Sequence, residues 1–219
     1  MDINIDETIK ATIDTAYMSF ISTFFVAVFG LILGIILFVS NEDGLSPNKF
    51  IYKITNGFVN IFRSIPFIIL IIILLPFTKI FVGTIIGSKA FLPGLIIAAS
   101  PLYGRMVENS FKEIDYGVIE ASLAMGAKKS TIIYRVLIRE SLPSLVNNLT
   151  ITCVSIIGYS AMAGIIGGGG LGELARRYGY VGNNNVMTFI ATLIALVLVL
   201  IVQFIGDYIS KKFNKREVN

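Results

Sequence analysis

Long apolar segments alternate with shorter polar segments along the chain, and the apolar segments are long enough to cross a membrane as helices. A spanning α-helix needs about 20 mainly apolar residues. We predict five such spans, at residues 17–39, 58–77, 90–107, 145–166 and 186–205. The chain is therefore expected to be an all-α membrane protein with a single transmembrane domain over residues 1–219.

Three of the predicted spans contain residues that indicate close helix packing or a position near the membrane surface. Gly30 and Gly34 form a small-xxx-small pair, which suits close approach of a neighbouring helix. Arg63 lies near the start of the second span, so its side chain can reach back to the membrane surface. Pro93 and Pro101 interrupt the third span, where neighbouring helices or a wet cavity must satisfy the freed carbonyl groups.

The fourth predicted span carries a polar stripe. Its members recur at intervals of four and three residues: Asn148, Thr152, Ser155, Tyr159 and Met162. At about 100° per residue they share one face of a helix. A polar stripe in a membrane helix faces protein or water. Two interpretations stay open, hydrogen bonding within a packed bundle and the lining of a transport pathway with Tyr159 and Met162 near its outer gate.

A charged, helix-prone segment at residues 108–143 separates the third and fourth spans. Asp115 predicts the N-cap of a helix that starts at the next residue. Gly126 predicts a break before a second amphipathic stretch at residues 130–140. From the residues alone, a helix lying on the membrane surface and a helix that docks into a cleft of a soluble partner are equally supported.

Composition supports the membrane class and argues against several others. Hydrophobic residues make up 55% of the chain and charged residues 15%, outside the usual range of soluble domains. There is no histidine, and the one cysteine, Cys153, lies in an apolar run, so neither a disulfide framework nor a zinc site is expected. Because we expect Asp207 to be the only carboxylate near a span, proton coupling is not expected. No metal and no cofactor is expected on this chain.

The distribution of lysine and arginine predicts the orientation. If the N-terminus is outside, thirteen of the eighteen basic residues fall on the cytoplasmic side, including Lys215 and Arg216 of the tail. The remaining five fall outside: Lys10, Lys79, Lys89, Arg176 and Arg177. Cytoplasmic loops carry the excess of positive charge, so we expect the N-terminus outside, the C-terminus in the cytoplasm and residues 108–143 in the cytoplasm. This spread of charge over the membrane topology, with a net charge of +4, also argues against nucleic acid as a partner.

The start of the chain is acidic, with Asp6, Glu7 and Asp14 against Lys10. A secretory signal begins with basic residues, so no cleavable signal is expected.

The sequence Glu120-Ala121-Ser122, followed after three residues by Gly126, resembles the EAA-x3-G loop of ABC-importer permeases. The family pattern continues as I-x-L-P, and this chain has Arg139 in place of the proline. The resemblance implies that Glu120, Ala121, Ser122 and Gly126 couple the chain to ATPase subunits.

A second resemblance covers residues 55–210. Three runs are similar to the methionine-importer permeases: residues 63–67, residues 105–109, and residues 158–172 with the Arg177-Tyr-Gly-Tyr180 run after them. The resemblance implies the type I ABC importer architecture in a bacterial inner or plasma membrane, among membrane lipids. It further implies a homodimer that joins two cytoplasmic ATP-binding subunits and an extracytoplasmic substrate-binding lipoprotein, with L- or D-methionine as cargo.

The chain contains no G-x4-G-K-[ST] sequence, so it lacks a Walker A loop and is expected to be a transport subunit and not an enzyme. Glycines 167–170 are interpreted as a tight turn after the fourth span, with a flexible outer gate as the alternative. Other functions stay open: a permease for another small amino acid or a sulfur analogue, an ATP-independent channel or secondary transporter, and a membrane scaffold.

Overall fold

A computed structural model describes residues 4–213, and helices form almost all of this range. Lys215 and Arg216, which were counted in the charge distribution, lie outside the described residues. The helices are α1 (Ile5–Ser40), α2 (Lys49–Ser64), α3 (Phe67–Val82), α4 (Ser88–Lys112), α5 (Tyr116–Ala124), α6 (Lys129–Ile165), α7 (Gly170–Leu174) and α8 (Asn185–Phe213). Two stretches are π-helical: Ile132–Leu137 within α6, and Ala175–Val181 directly after α7.

Four helices, α1, α4, α6 and α8, are each long and apolar enough to cross a membrane. The predicted span at residues 58–77 differs from them, because it is divided between α2 and α3, and the helix direction changes by 110° between the two. Ile65 is extended, with φ −81° and ψ 126°. Proline disfavours the helical conformation in the residue before it, which agrees with the end of α2 just before Ile65-Pro66. Within residues 4–213, the five predicted spans thus correspond to four continuous helices and one bent pair.

Close backbone contact joins α1 to α4, as the small-xxx-small pair predicts. A Cβ atom added at Gly30 would lie 2.7 Å from Tyr103 Cδ1, and one added at Gly34 would lie 2.4 Å from Val107 Cγ1. Only hydrogen fits at these two positions. The prediction that Gly30 and Gly34 pack against a neighbouring helix is confirmed, and the neighbour is α4.

The bundle has two ends, which we name by their short helices. At the α7 end, the Gly87 amide donates to the Gly167 carbonyl at 2.9 Å, and Glu7 near the start of α1 contacts Arg177. At the α5 end, Ser210 near the end of α8 donates to the Pro143 carbonyl at 3.0 Å. Helix α1 therefore begins at the α7 end and helix α8 finishes at the α5 end. An odd number of crossings requires this arrangement.

Candidate functional site

Helix α5 connects the end of α4 to the start of α6 at one end of the bundle. The Asp115 carboxylate accepts a hydrogen bond from the Gly117 amide at 2.8 Å, which confirms the predicted N-cap. The helix stops at Ala124, and Gly126 follows with φ +79°, a left-handed conformation that favours glycine. The predicted break at Gly126 is therefore confirmed.

The residues of α5 divide into a face against the bundle and a larger exposed surface. Ile119 and Ser122 are buried, and the Ser122 hydroxyl donates to the Val118 carbonyl at 2.8 Å. Of the four predicted coupling residues, Glu120, Ala121 and Gly126 are exposed and Ser122 faces the bundle. Large apolar side chains are exposed beside them: Tyr116, Val118, Leu123 and Met125. An exposed apolar surface of this kind indicates contact with another protein or with a membrane.

The predicted stretch at residues 130–140 is the beginning of α6 and not a separate helix. The helix starts at Lys129, passes through the π-helical turn and continues beyond Pro143 to Ile165. Residues 108–143 thus contain the end of α4, all of α5 and the start of α6, with short connections between them.

A buried charge cluster lies in α4, close to the start of α5. Glu108 has no exposed surface, and its carboxylate lies 2.5 Å from Arg105 Nη1 and 2.7 Å from Lys112 Nζ. The expectation that Asp207 is the only carboxylate near a span is therefore wrong. The sequence signal was present, because cations at positions −3 and +4 surround Glu108 on one helix face. The predicted third span stopped at residue 107, so Glu108 was assigned to the loop.

Arg105 also joins α4 to α2. Its Nη2 atom donates to the Asn60 side-chain oxygen at 3.0 Å and to the side-chain oxygen of Asn56. One guanidinium group thus holds the buried carboxylate of its own helix and two amide side chains of the neighbouring helix. The planar, five-donor geometry of arginine permits this, whereas the point charge of lysine does not.

On its other side, the same end of α4 is hydrogen-bonded to α6. Asn148 Nδ2 donates to Ser110 Oγ at 2.9 Å, and the Ser110 and Ser144 hydroxyls lie 2.8 Å apart. The Ser141 hydroxyl donates to the Ser110 carbonyl at 3.2 Å. The α4 segment from Arg105 to Lys112 is therefore fixed to α2, to α6 and, through the chain, to α5.

The structure does not bring the five residues of the polar stripe to one open face. Asn148 contacts α4, and Thr152 is fully buried with its hydroxyl donating to the Asn148 carbonyl at 2.8 Å. Tyr159 is half-buried against Phe67 of α3. Ser155 is partly exposed and Met162 is 46% exposed. Asn148 and Thr152 thus make packing contacts within the chain, while Ser155 and Met162 lie towards its surface.

Ser155 borders a groove of about 330 Å³ between α6 and α8. The groove is lined by Asn147, Thr150, Ile151, Val154, Ser155, Gln203 and Asp207. Most of these side chains are polar, although both helices are apolar enough to span a membrane. Polar side chains at membrane depth face protein or water and not lipid.

A smaller cavity of about 160 Å³ lies where α2 meets α3. Arg63 and Phe67 line it from the bent pair, and Tyr159 lines it from α6. The rings of Phe67 and Tyr159 are stacked, with centroids 4.3 Å apart. The bend between α2 and α3 is thus packed directly against the helix that carries the polar stripe.

At the α7 end, glycines 167–170 form the connection between α6 and α7. Gly167, Gly169 and Gly170 all have positive φ, and Gly164 also packs closely on the turn. The Leu171 amide donates to the Thr15 hydroxyl at 2.8 Å, which fixes the turn to α1. This geometry agrees with the tight-turn interpretation of these glycines.

A second contact fixes the residues after α7 to the start of α1. The Tyr178 hydroxyl and the Arg177 guanidinium both donate to the Glu7 carboxylate, and both hold the pKa of Glu7 below its ordinary value. Arg177 Nη2 also donates to the Tyr178 hydroxyl at 2.8 Å, and this hydrogen bond, followed by the one to Glu7, raises the pKa of Arg177. A cavity of about 400 Å³ next to this contact is lined by charged residues that include Lys10, Asp14 and Glu173.

The family model described as "Binding-protein-dependent transport system inner membrane component" matches residues 27–215. The methionine import system permease protein MetP of Bacillus subtilis (strain 168) is 50% identical over 215 residues, which cover 98% of this chain and 97% of that protein. The probable D-methionine transport system permease protein MetI of Pasteurella multocida (strain Pm70) is 42% identical over 94% of this chain and 95% of that protein. Among solved structures, the native crystal form of the inward-facing MetNI methionine ABC transporter matches with a TM-score of 0.95 and 42% identity, over 98% of this chain and 100% of that one.

Proposed function

The chain belongs to the family of binding-protein-dependent transport system inner membrane components, and we propose that it is the permease of an ATP-driven importer for methionine. It is a multi-pass protein of the inner membrane, and it is a transport subunit and not an enzyme. Its fold is that of the MetNI permease, a type I importer.

Helix α5 is the observation that carries the proposal. It is a short helix with a defined start at Asp115, a defined end before Gly126 and an exposed apolar surface. A docking helix needs this combination, because its shape must persist without the partner and its surface must be free to bind. In the proposal, Glu120, Ala121 and Gly126 contact an ATPase subunit, and Ser122 fixes α5 against the rest of the permease.

This assignment places the α5 end in the cytoplasm and the α7 end outside. The distribution of basic residues supports that orientation, since Lys112, Lys128, Lys129, Arg135 and Arg139 all lie at the α5 end. Movement of α5 by the ATPase subunits would switch the pathway between inward and outward access. The residues after α7 would then lie where an extracytoplasmic substrate-binding protein docks.

We assign the pathway to the exposed part of the polar stripe. Ser155 and Met162 lie towards the surface of α6, and Gly158 between them has open space around its Cβ position. Tyr159 belongs to the same face and is half-buried against Phe67. Asn148 and Thr152 contribute to the pathway by fixing α6 against α4. A zwitterionic amino acid can pass such uncharged polar side chains without being trapped by a fixed charge.

We propose that two copies of the chain form the pathway together. The polar groove between α6 and α8 supports this, because Thr150, Ser155 and Gln203 line it between two helices that are apolar enough to span a membrane, where polar side chains face protein or water and not lipid. A second copy satisfies such groups symmetrically, as a two-fold interface requires. Two permease copies would bind two ATPase subunits, one on each α5.

The decisive experiment is uptake of labelled methionine into liposomes that contain this chain, its ATPase subunit and its binding protein. The proposal predicts uptake that requires ATP hydrolysis and that unlabelled methionine suppresses. If a different amino acid or a sulfur analogue suppresses the uptake, the protein is still an importer but its cargo is that compound and not methionine. Uptake that is independent of ATP in a verified complex would contradict the proposal and favour a channel or a secondary transporter.

A further inference from the structure

Glu108 is the largest charge-bearing side chain that the structure buries completely. A buried carboxylate is stable only when cations and hydrogen bonds compensate for its lost hydration. Here Arg105 at 2.5 Å and Lys112 at 2.7 Å supply both, and their own side chains stay partly exposed. The result is an Arg105 guanidinium whose orientation is fixed by a buried partner and not by solvent.

The fixed guanidinium points its second nitrogen at α2. Arg105 Nη2 donates to Asn60 at 3.0 Å and to Asn56, and the two asparagines are linked by a longer hydrogen bond of 3.4 Å. We call this set, Arg105 with Asn56 and Asn60, the α2–α4 bridge. Only Val59 of α2 is fully buried, so few apolar contacts hold this helix and the bridge adds polar contacts to them.

The α2–α4 bridge connects the end of α4, which leads to α5, with α2, which leads to α3. On one side, α4 ends at Lys112 and α5 starts at Tyr116, so α5 is attached directly to the segment that carries Arg105. On the other side, α2 continues through the 110° bend into α3, where Phe67 stacks on Tyr159. A displacement of α5 therefore reaches the Phe67–Tyr159 contact by a continuous route through the bridge.

We propose that Arg105, held by Glu108, is the positioning residue that transmits movement of α5 to the α2–α3 bend and so to the pathway at Tyr159. This inference rests on the proposed function, in which α5 is moved by an ATPase. The role is mechanical coupling, because Arg105 neither binds the ATPase nor contacts the pathway residues. Loss of the bridge should leave the rate of ATP hydrolysis unchanged and lower the amount of methionine imported for each ATP hydrolysed.

The test compares the ratio of methionine imported to ATP hydrolysed in the reconstituted complex. The variants are Asn56→Ala with Asn60→Ala, which removes the acceptors on α2, and Arg105→Lys, which keeps the charge beside Glu108 and loses the fork. Thr55→Ala is the matched control, because Thr55 lies on the same helix and its hydroxyl makes no hydrogen bond to α4 within residues 4–213. We expect the ratio to fall by about tenfold in both bridge variants, within the usual range of a coupling free energy, with the ATPase rate and the control unchanged.

Two outcomes of this test would overturn the inference. An unchanged ratio would mean that the bridge does not transmit movement. An equal loss of uptake and hydrolysis would mean that the bridge only holds the complex together.

A second measurement does not depend on the cargo. Spin labels on cysteines introduced at Phe81, which is 83% exposed, and at Glu113, which is exposed in the short connection from α4 to α5, report the distance between α3 and the start of α5 in a Cys153→Ala background. We expect a nucleotide-dependent change of this distance that is lost in the Asn56→Ala, Asn60→Ala variant. If it persists in that variant, the inference is wrong. If the unchanged complex shows this movement and yet imports no methionine, the proposed cargo fails and the inference stands.

Discussion

The aromatic rings of Phe67 and Tyr159 lie parallel, with centroids 4.3 Å apart and planes 8° apart. Phe67 is the first residue of α3, directly after the break at Pro66, and Tyr159 belongs to the polar stripe of α6. This stack joins the bent helix pair to the helix that carries the proposed pathway.

Loss of the stack is expected to loosen the pathway. An aromatic pair contributes about 0.5–1.5 kcal/mol beyond its buried area, and Phe67→Leu removes it while keeping an apolar side chain. We expect this variant to show a larger methionine flux without ATP in liposomes. Tyr159→Phe keeps both rings and should match the unchanged protein. Equal methionine fluxes without ATP in Phe67→Leu, Tyr159→Phe and the unchanged protein would contradict a gating role for the stack.

Gly126→Ala should weaken binding of the ATPase subunit. The φ of +79° at Gly126 costs an alanine about 1–2 kcal/mol, although no atom lies within 4 Å of the added Cβ. The change therefore strains the end of α5 without a steric clash. Gly57→Ala is the control, because Gly57 also has open space but lies in the helical backbone of α2. Co-purification of the ATPase should fall for Gly126→Ala alone, and equal recovery of the subunit would contradict the assignment of α5.

Gly34→Ala should lower the unfolding temperature of the purified permease. The added Cβ would lie 2.4 Å from a Val107 side-chain atom and 2.8 Å from the Gly104 carbonyl oxygen, so α1 and α4 must move apart. Overpacking of this kind costs about 1–3 kcal/mol. Thermal unfolding measured beside Gly57→Ala separates this effect from the general effect of an alanine. Similar unfolding temperatures for the two variants would mean that α1 and α4 adjust without cost.

Asn148→Ala and Ser155→Ala should have different effects, because the structure gives these residues different surroundings. Asn148 binds Ser110 inside the chain, so its loss should lower stability by around 0.6 kcal/mol. The Ser155 hydroxyl donates only to the Ile151 carbonyl of its own helix, so Ser155→Ala should leave stability unchanged and alter methionine uptake. Unchanged uptake in Ser155→Ala would assign this part of the stripe to packing.

The contact between Glu7 and the residues after α7 should depend on pH in the acid range. Because hydrogen bonds from Tyr178 and Arg177 lower the pKa of Glu7, the contact is stabilising above the ordinary carboxyl value of 4.5. It is lost as the pH falls through the lowered pKa. Hydrogen exchange of the amides in Ala175–Val181 should therefore accelerate only when the pH falls below about 4.5, after correction for the intrinsic exchange rate. Glu7→Gln should exchange faster at neutral pH and should lack the acid transition.

Much of the helical architecture could be predicted from local sequence. Apolar length identified the spans, Asp115 and Gly126 gave the limits of α5, and the Gly30 and Gly34 pair predicted a close helix contact. Each of these signals acts within a few residues or along one helix, so no partner has to be known. The bend at Pro66 carried a local signal too, but the apolar content of residues 58–77 outweighed it.

The parts that could not be predicted depend on contacts between distant residues. Asn56 and Asn60 meet Arg105 only because α2 crosses α4, and Phe67 meets Tyr159 only because α3 packs on α6. For the same reason the sequence could not divide the polar stripe between packing and surface. Helical periodicity assigns residues to one face, but the neighbour that covers each end of that face is a property of the whole bundle.

The glycine contact between α1 and α4 has a consequence for how the subunit can change shape. Gly104 adds a third close approach, since its added Cβ would lie 2.9 Å from Leu33 and 3.2 Å from the Gly30 carbonyl oxygen. The backbones of α1 and α4 are thus in close contact at three glycines. One helix cannot slide along the other by a fraction of a turn, because larger residues would then clash at these contacts. We therefore expect α1 and α4 to behave as one rigid frame through a transport cycle. Any displacement of α5 that reaches the end of α4 is then carried by α1 as well, so the two helices move together against the bend between α2 and α3.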